Sequence, residues 1–253
     1  MPGNESQLAA RKCAVRSALF NCAKKNGFAV AYTLAARLLE SRLHGGDFDF
    51  VSVLHGEICE TVLELKLLEI AMKYPKDTAG WLYNKSLVIK DRHSENCGFC
   101  TEIDLVLFTA GCIYLFECKS YSGDKKLVGR GLLRRKTLYE GQVSSCDIYR
   151  QSKLHADTFK PWVVDFVLHG KKPVVQMCIF DFSLGALSDA RTAAAKKELP
   201  CLAEGTVADF VLTRREAVWD LDALRIVSVK LGKLSAKLRD RHLAYVQNLH
   251  GKE

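Results

Sequence analysis

The sequence predicts an α/β fold: a mixed β-sheet flanked by helices, with extra helices at the N- and C-terminal ends. Three observations predict it. Ala/Leu-rich or amphipathic stretches at 7–43, 53–74 and 214–250 have helical spacing. Short apolar runs bounded by turn residues lie between them and suit strands. Two of those runs, 102–108 and 112–119, are separated only by a loop around Ala110-Gly111, so they form a hairpin and the sheet is not purely parallel.

The elements follow in order. In the first helical run Gly27 is a break between two helices. "HGGDFDF" (44–50) reads as a connection. From Val53 to Tyr74, apolar Ile58, Val62, Leu65, Leu68 and Met72 recur in steps of three and four, and Pro75 ends the helix. "WLYNKSLVIK" (81–90) suits a strand, and "DRHSENCGFC" (91–100) a turn. After the hairpin comes a basic segment with three glycines, "SYSGDKKLVGRGLLRRK". Residues 141–160 read as a helix closed by Pro161, 172–180 as a buried strand, and 205–213 as a further strand. The tail is helical, with Gly232 a kink position.

A chain of 253 residues accommodates one large domain, or one core with an appendage. Its 48% hydrophobic and 26% charged residues are ordinary globular composition. Formal net charge is +8, which fits a polyanionic partner without requiring one. No stretch reaches the roughly 18–20 apolar residues of a membrane span. The first twenty residues lack the apolar core and cleavage site of a signal peptide, so the expected address is the cytoplasm, with no membrane partner. The 10 cysteines are scattered and read as reduced thiols.

The hairpin carries Glu102, Asp104, Glu117 and Lys119 inside apolar runs. A loop symmetric about Ala110-Gly111 makes facing residue numbers sum to 221, so that Asp104 faces Glu117 and Glu102 faces Lys119. Period-two alternation then puts these four on one face at one end of the hairpin. The opposite face reads Ile103, Leu105, Leu107, Tyr114, Phe116 and Cys118, all core. Facing carboxylates repel, and a hard divalent cation such as Mg²⁺ resolves that repulsion while activating water at a phosphate. Lys119 is placed to orient water or neutralise developing charge. The alternative is a pair of structural cross-strand ion pairs, Glu102 with Lys119 among them.

An Asp strand, a Gly turn and Glu117-Cys118-Lys119 resemble the core of the PD-(D/E)xK nuclease superfamily. "HGEICETVLELKLLE", "EIDLVLFTAGCIYLFECKSYSG" and "IYRQSKLHADTFKPWV" together resemble three blocks of its nuclease-related domain (NERD) family, in order and spacing. The resemblance implies a restriction-endonuclease-like core at 51–185, an N-terminal helical extension at 1–50, and a C-terminal strand and helices at 186–253. It implies Mg²⁺, with Mn²⁺ as substitute, held by Glu57, Asp104 and Glu117; Lys119 as catalytic lysine; and Gln151 near the reacting groups. The implied activity is metal-dependent hydrolysis of phosphodiesters, of DNA first, with RNA left open. Leu105 stands where the family often has His, and Asp147-Ile148 where it often has Asn-Pro.

Lys125, Lys126, Arg130, Arg134, Arg135 and Lys136 directly follow the Glu-x-Lys strand and are candidates to track a phosphate backbone, with His155 one helical turn from Gln151. Cys97-Gly-Phe-Cys100, with His93 upstream, lacks the second Cys pair of a structural zinc site, so zinc is not expected. There is no nucleophile-elbow Ser, Walker loop or Rossmann fingerprint. Two other classes of function fit the same residues: a nucleic-acid-binding module with little or no catalysis, and an interaction protein whose acidic cluster is structural.

Overall fold

The computed structural model describes residues 2–42, 48–90, 100–121, 123–136, 143–164, 174–213 and 218–250. The N-terminal run forms α1 (Pro2–Asn26) and α2 (Phe28–Arg42). Gly27 divides them at φ +90°, a conformation only glycine adopts without strain. Val15 and Leu19 of α1 and Ala31, Ala35 and Leu39 of α2 are buried against α3 (Phe48–Lys73). Their spacing of four gives each helix one apolar stripe. Phe48, Asp49 and Phe50, expected in a connection, belong to α3. Leu68 and Met72, expected on its buried stripe, are exposed, while Leu54, Leu63, Leu67 and Ile70 are buried. The reason is that α3 is covered twice, by α1 and α2 on one side and by the sheet on the other, so its apolar surface is wider than one stripe.

The main sheet runs β1 (Leu82–Lys90), β2 (Cys100–Phe108), β3 (Ile113–Lys119), β7 (Val175–Asp181) and β9 (Cys201–Leu202). The first three are antiparallel, and β7 and β9 run parallel to β3. The hairpin adopts the expected register: Leu105 opposes Phe116 and Phe108 opposes Ile113. Cys118 lies in the core facing α3, as alternation requires. Ile103 does not follow Leu105 and Leu107 into that cluster; it packs with Val106 and Phe108 on the other face. The alternation breaks at Asp104. Opposite it Ser86 sits at φ +49°, between the paired Lys85–Leu105 and Leu87–Ile103. That local break turns the outer end of β1 and β2 relative to the rest of the sheet.

The basic segment after the hairpin is not a loop. It forms β4 (Lys125–Val128) and β5 (Leu132–Lys136), followed by β6 (Val143–Asp147). With β8 (Leu187–Asp189) these make a second sheet, ordered β6-β5-β4-β8. Leu127 and Leu133 bury one face of it against Ile148, Ile179 and Leu199. A close approach seats β8: a Cβ on Gly185, at φ +94°, would stand 2.6 Å from the carbonyl oxygen of Gly123. Gly123 is the trailing glycine of the motif block and itself has φ +81°.

The helix expected from 141 starts later. α4 covers Ile148–Val163, and Asp147 caps it by accepting a 2.9 Å hydrogen bond from the Arg150 N–H. Pro161 lies inside α4, whose last turn is held by Phe159 and Val163 in the core and by the Trp162 indole donating to the Lys90 carbonyl at 3.0 Å. α5 (Ala193–Glu198) precedes β9. The strand expected at 205–213 is instead α6 (Val207–Leu212), with Val207, Val211 and Leu212 buried at helical spacing. α7 (Leu221–His250) runs through Gly232 as one helix. α3 and α6 thus cover one sheet face, with α1 and α2 packed on the far side of α3, and α4 and α7 cover the other face. Among the described residues no helix is long and apolar enough to cross a membrane.

Candidate active site

β3 delivers Glu117 and Lys119 to one face because they are two residues apart in a strand. Glu117 is 3% exposed, so its charge needs partners. Lys119 Nζ donates to its Oε1 at 2.5 Å, and His155 Nδ1 of α4 stands 3.3 Å from its Oε2. That second contact lacks hydrogen-bond alignment, and Oε2 accepts no hydrogen bond from the described residues. Burial works to raise the carboxyl pKa of Glu117, but Lys119 and then His155 outweigh it and hold it below the ordinary range.

Asp104 lies across the hairpin. The regular pairs end at Leu105–Phe116, and beyond them the Asp104 carboxylate itself accepts the Cys118 N–H at 2.7 Å. Burial, then the nearby charges of Glu117 and Glu60, push its pKa well above the usual carboxylate value. Lys119 shows the opposite balance: burial disfavours its charge, but Glu117 and other neighbours raise its pKa above that of a free lysine. Its ammonium is therefore a fixed cation. It also reaches Gln151 Oε1 at 3.5 Å, one turn of α4 before His155.

The expected metal trio of Glu57, Asp104 and Glu117 is not brought together. Among the described residues, no three His, Cys, Asp or Glu side chains are close enough to hold one ion. Glu57 is taken by Lys85 of β1, whose Nζ stands 2.5 Å from it, 3.4 Å from Glu60 and 3.8 Å from Glu64. Arg16 of α1 closes the row with 3.0 and 2.9 Å bonds to Glu64. The α3 carboxylate that acts on Asp104 is Glu60, three residues on. Burial pushes Glu60 up to about 7, against the pull of Lys85 at 3.4 Å, and its Oε2 accepts no hydrogen bond from the described residues. Sequence reasoning passed over Glu60; its i, i+3, i+7 spacing with Glu57 and Glu64 was the available signal.

The donor chemistry fits a hydrated hard cation. Mg²⁺ takes one or two protein carboxylates and keeps several waters. Asp104 and Glu117 meet that requirement, and the open Oε2 of Glu117 is a buried oxygen with spare acceptor capacity.

Glu102 does not pair with Lys119. It lies 3.4 Å from His242 Nε2 of α7, because the break at Asp104 turns this end of β2 toward α7. The other expected nucleic-acid contacts divide sharply. His155 is 4% exposed and packs beneath Glu117, so it faces no solvent. Lys125 is 3% exposed; it binds Ser183 and the Tyr121 carbonyl beside Asp181, and burial lowers its pKa. It ties β4 to the end of β7 and cannot meet a phosphate. Arg130 is exposed but held by both Glu198 oxygens at 2.9 Å and stacked on Tyr149 at 4.2 Å. Arg135 stacks on Tyr121 at 4.5 Å and binds Ser144. Lys126 and Arg134 are exposed. Lys136 lies in β5, its side chain outside the described set. His93 and Cys97 also lie outside the described residues, while Cys100 is a buried free thiol in β2.

Residues 61–180 match the family model described as the nuclease-related domain. That segment contains Asp104, Glu117, Lys119, Gln151 and His155, but not Glu57, Glu60 or α7. No curated protein and no solved structure matches the chain.

Proposed function

Because residues 61–180 belong to the nuclease-related domain family, we propose that this protein is a metal-dependent nuclease that hydrolyses phosphodiester bonds of DNA. One observation supports the reading: a buried glutamate, Glu117, has its carboxyl pKa held down by Lys119 and His155 while its Oε2 accepts no hydrogen bond from the described residues, and the charge of Glu117 bears on nearby Asp104.

Asp104 and Glu117 would hold Mg²⁺ or Mn²⁺, with Glu60 the nearest further carboxylate. Such an ion would supply Lewis-acid stabilisation of phosphate oxygens and a water of lowered pKa. Lys119, fixed as an ammonium, donates to the attacking water or to the negative charge that develops on phosphate. It does not take the proton of that water, since its own proton is held firmly. Gln151, bound to Lys119, aims the ammonium and offers its amide N–H to substrate. His155 presses on Glu117 from below and fixes its orientation.

A second reading, nucleic-acid binding without turnover, draws on the absence of a three-ligand cluster among the described residues. Incubation of supercoiled and linear DNA, single- and double-stranded, with Mg²⁺, Mn²⁺ or EDTA separates the two. Metal-dependent nicking lost in Asp104→Asn and Lys119→Ala is expected. Folded wild type that binds DNA but cleaves none in any metal would leave only the second reading.

A further inference from the structure

We propose that the outer face of α7 is a nucleic-acid-binding surface that guides the substrate backbone to the strand ends carrying Asp104 and Glu117. This rests on the nuclease reading above and names a surface outside the matched segment 61–180.

The inner side of α7 is anchored to the very residues that flank Asp104. Ser235 Oγ accepts the Val88 N–H at 2.8 Å, and Leu238 packs on Val88 and Cys100. Arg239 donates to the carbonyl of Ser86, opposite Asp104, at 3.4 Å. His242 meets Glu102, two residues from Asp104. The second half of α7 therefore lies along the end of β1 and β2 that carries Asp104.

On its outer side Lys233, Lys237 and Arg241 recur at steps of four, so they form one exposed row. They form no ion pair among the described residues. The row covers roughly 12 Å of helix, enough for about three successive phosphates of one strand at 3.4 Å rise.

The basic segment next to the Glu-x-Lys strand supplies little by comparison. Lys125 is buried, Arg130 is neutralised by Glu198, and Arg135 is engaged with Tyr121 and Ser144. Lys126 and Arg134 alone stand exposed there with described side chains and no such partner. α7 thus adds three exposed cations, on a helix packed against the strand ends beside Asp104. A polyanion that reaches those carboxylates needs compensating cations along its path, since the site itself is acidic.

The test is binding of a fluorescein-labelled DNA duplex and of the matching single strand, followed by anisotropy in EDTA across a salt series. Wild type is compared with Lys233→Glu/Lys237→Glu/Arg241→Glu, with the same three changed to Gln, and with Lys24→Glu/Lys25→Glu at the far end of α1. Circular dichroism confirms folding of each. The Glu triple is expected to bind at least about tenfold more weakly, the Gln triple to lose two to three phosphate contacts' worth of salt slope, at about 0.9 per contact, and the α1 variant to match wild type. Wild type that binds but a folded Gln triple with unchanged affinity and slope would overturn the α7 proposal and leave the nuclease reading standing. Wild type that binds no DNA would overturn both. Equal loss in the α1 control would show a general charge effect and overturn the assignment to α7.

Discussion

Asp104 and Glu117 share a site but hold protons differently. Glu117 has a cation on one oxygen and an imidazole by the other, and its pKa is depressed. Asp104 has burial and the charge of Glu117 against it, and its pKa is raised. A raised carboxyl pKa means the folded state binds the proton more tightly than the unfolded one. The stability this gives is present below the unfolded pKa and is lost as pH rises through the folded value. Asp104→Asn removes that loss. The variant is expected to be more stable than wild type at pH 8, by on the order of 1 kcal/mol, while losing cleavage; a lower thermal midpoint at pH 8 would contradict this account of Asp104. His155 offers a separate check. If it orients Glu117 from below, His155→Ala should lower kcat by about 10–100-fold with little change in KM for DNA. A rise in KM alone would instead place His155 on the substrate.

At the scale of elements, the row of glutamates on α3 is held between a lysine of β1 and Arg16 of α1. Lys85 lies within 4 Å of Glu57, Glu60 and Glu64, and its own pKa is raised by them although burial opposes this. Removing one partner of a buried ionic cluster leaves charge uncompensated, typically costing about 3–5 kcal/mol. Lys85→Met should therefore destabilise strongly in urea denaturation, and Glu60→Gln in the same chain should recover part of the loss. Additive effects of the two changes would mean that Lys85 and Glu60 do not interact. The same cluster explains why Glu57, well placed by its Gly-Glu context, is not free: β1 runs antiparallel to β2 and brings Lys85 to it.

In the whole molecule, the sheet is sandwiched between helices drawn from both ends of the chain. α7 buries Leu224, Val227 and Leu231 against Val106, Phe108 and Ile113. Full burial of three such side chains is worth roughly 5–9 kcal/mol, comparable to the total stability of a domain, about 5–15 kcal/mol. Deleting 221–253 should abolish cooperative unfolding and expose a dye-binding apolar face; a truncated chain that melts cooperatively near the wild-type midpoint would show α7 to be dispensable to the core. The hairpin was legible in the sequence because its cause is local: a short turn at Ala110-Gly111 and apolar alternation on either side set the register. The break at Gly27 and the helices α1 to α3 were legible for the same reason. The second sheet was not, because the charged run 125–136 hides its strands, and only Leu127 and Leu133, buried on Ile179 and Leu199 of distant elements, give them a face. α6 was misread as a strand because Val and Phe favour strands locally, and its packing on α3 overrides that preference. By itself, then, the sequence determined the α/β class, the hairpin register as far as Leu105–Phe116 and the placing of Glu117 and Lys119 on one face of β3, all matters of spacing along one or two adjacent strands. Only tertiary structure decided that Glu60, and not Glu57, is the α3 carboxylate whose charge bears on Asp104, that His155 and Lys125 are buried, and that α7 packs beside the strand ends next to Asp104. Those outcomes depend on which long-range partner reaches each charge first, and burial makes that partner's identity decide what each charge can do.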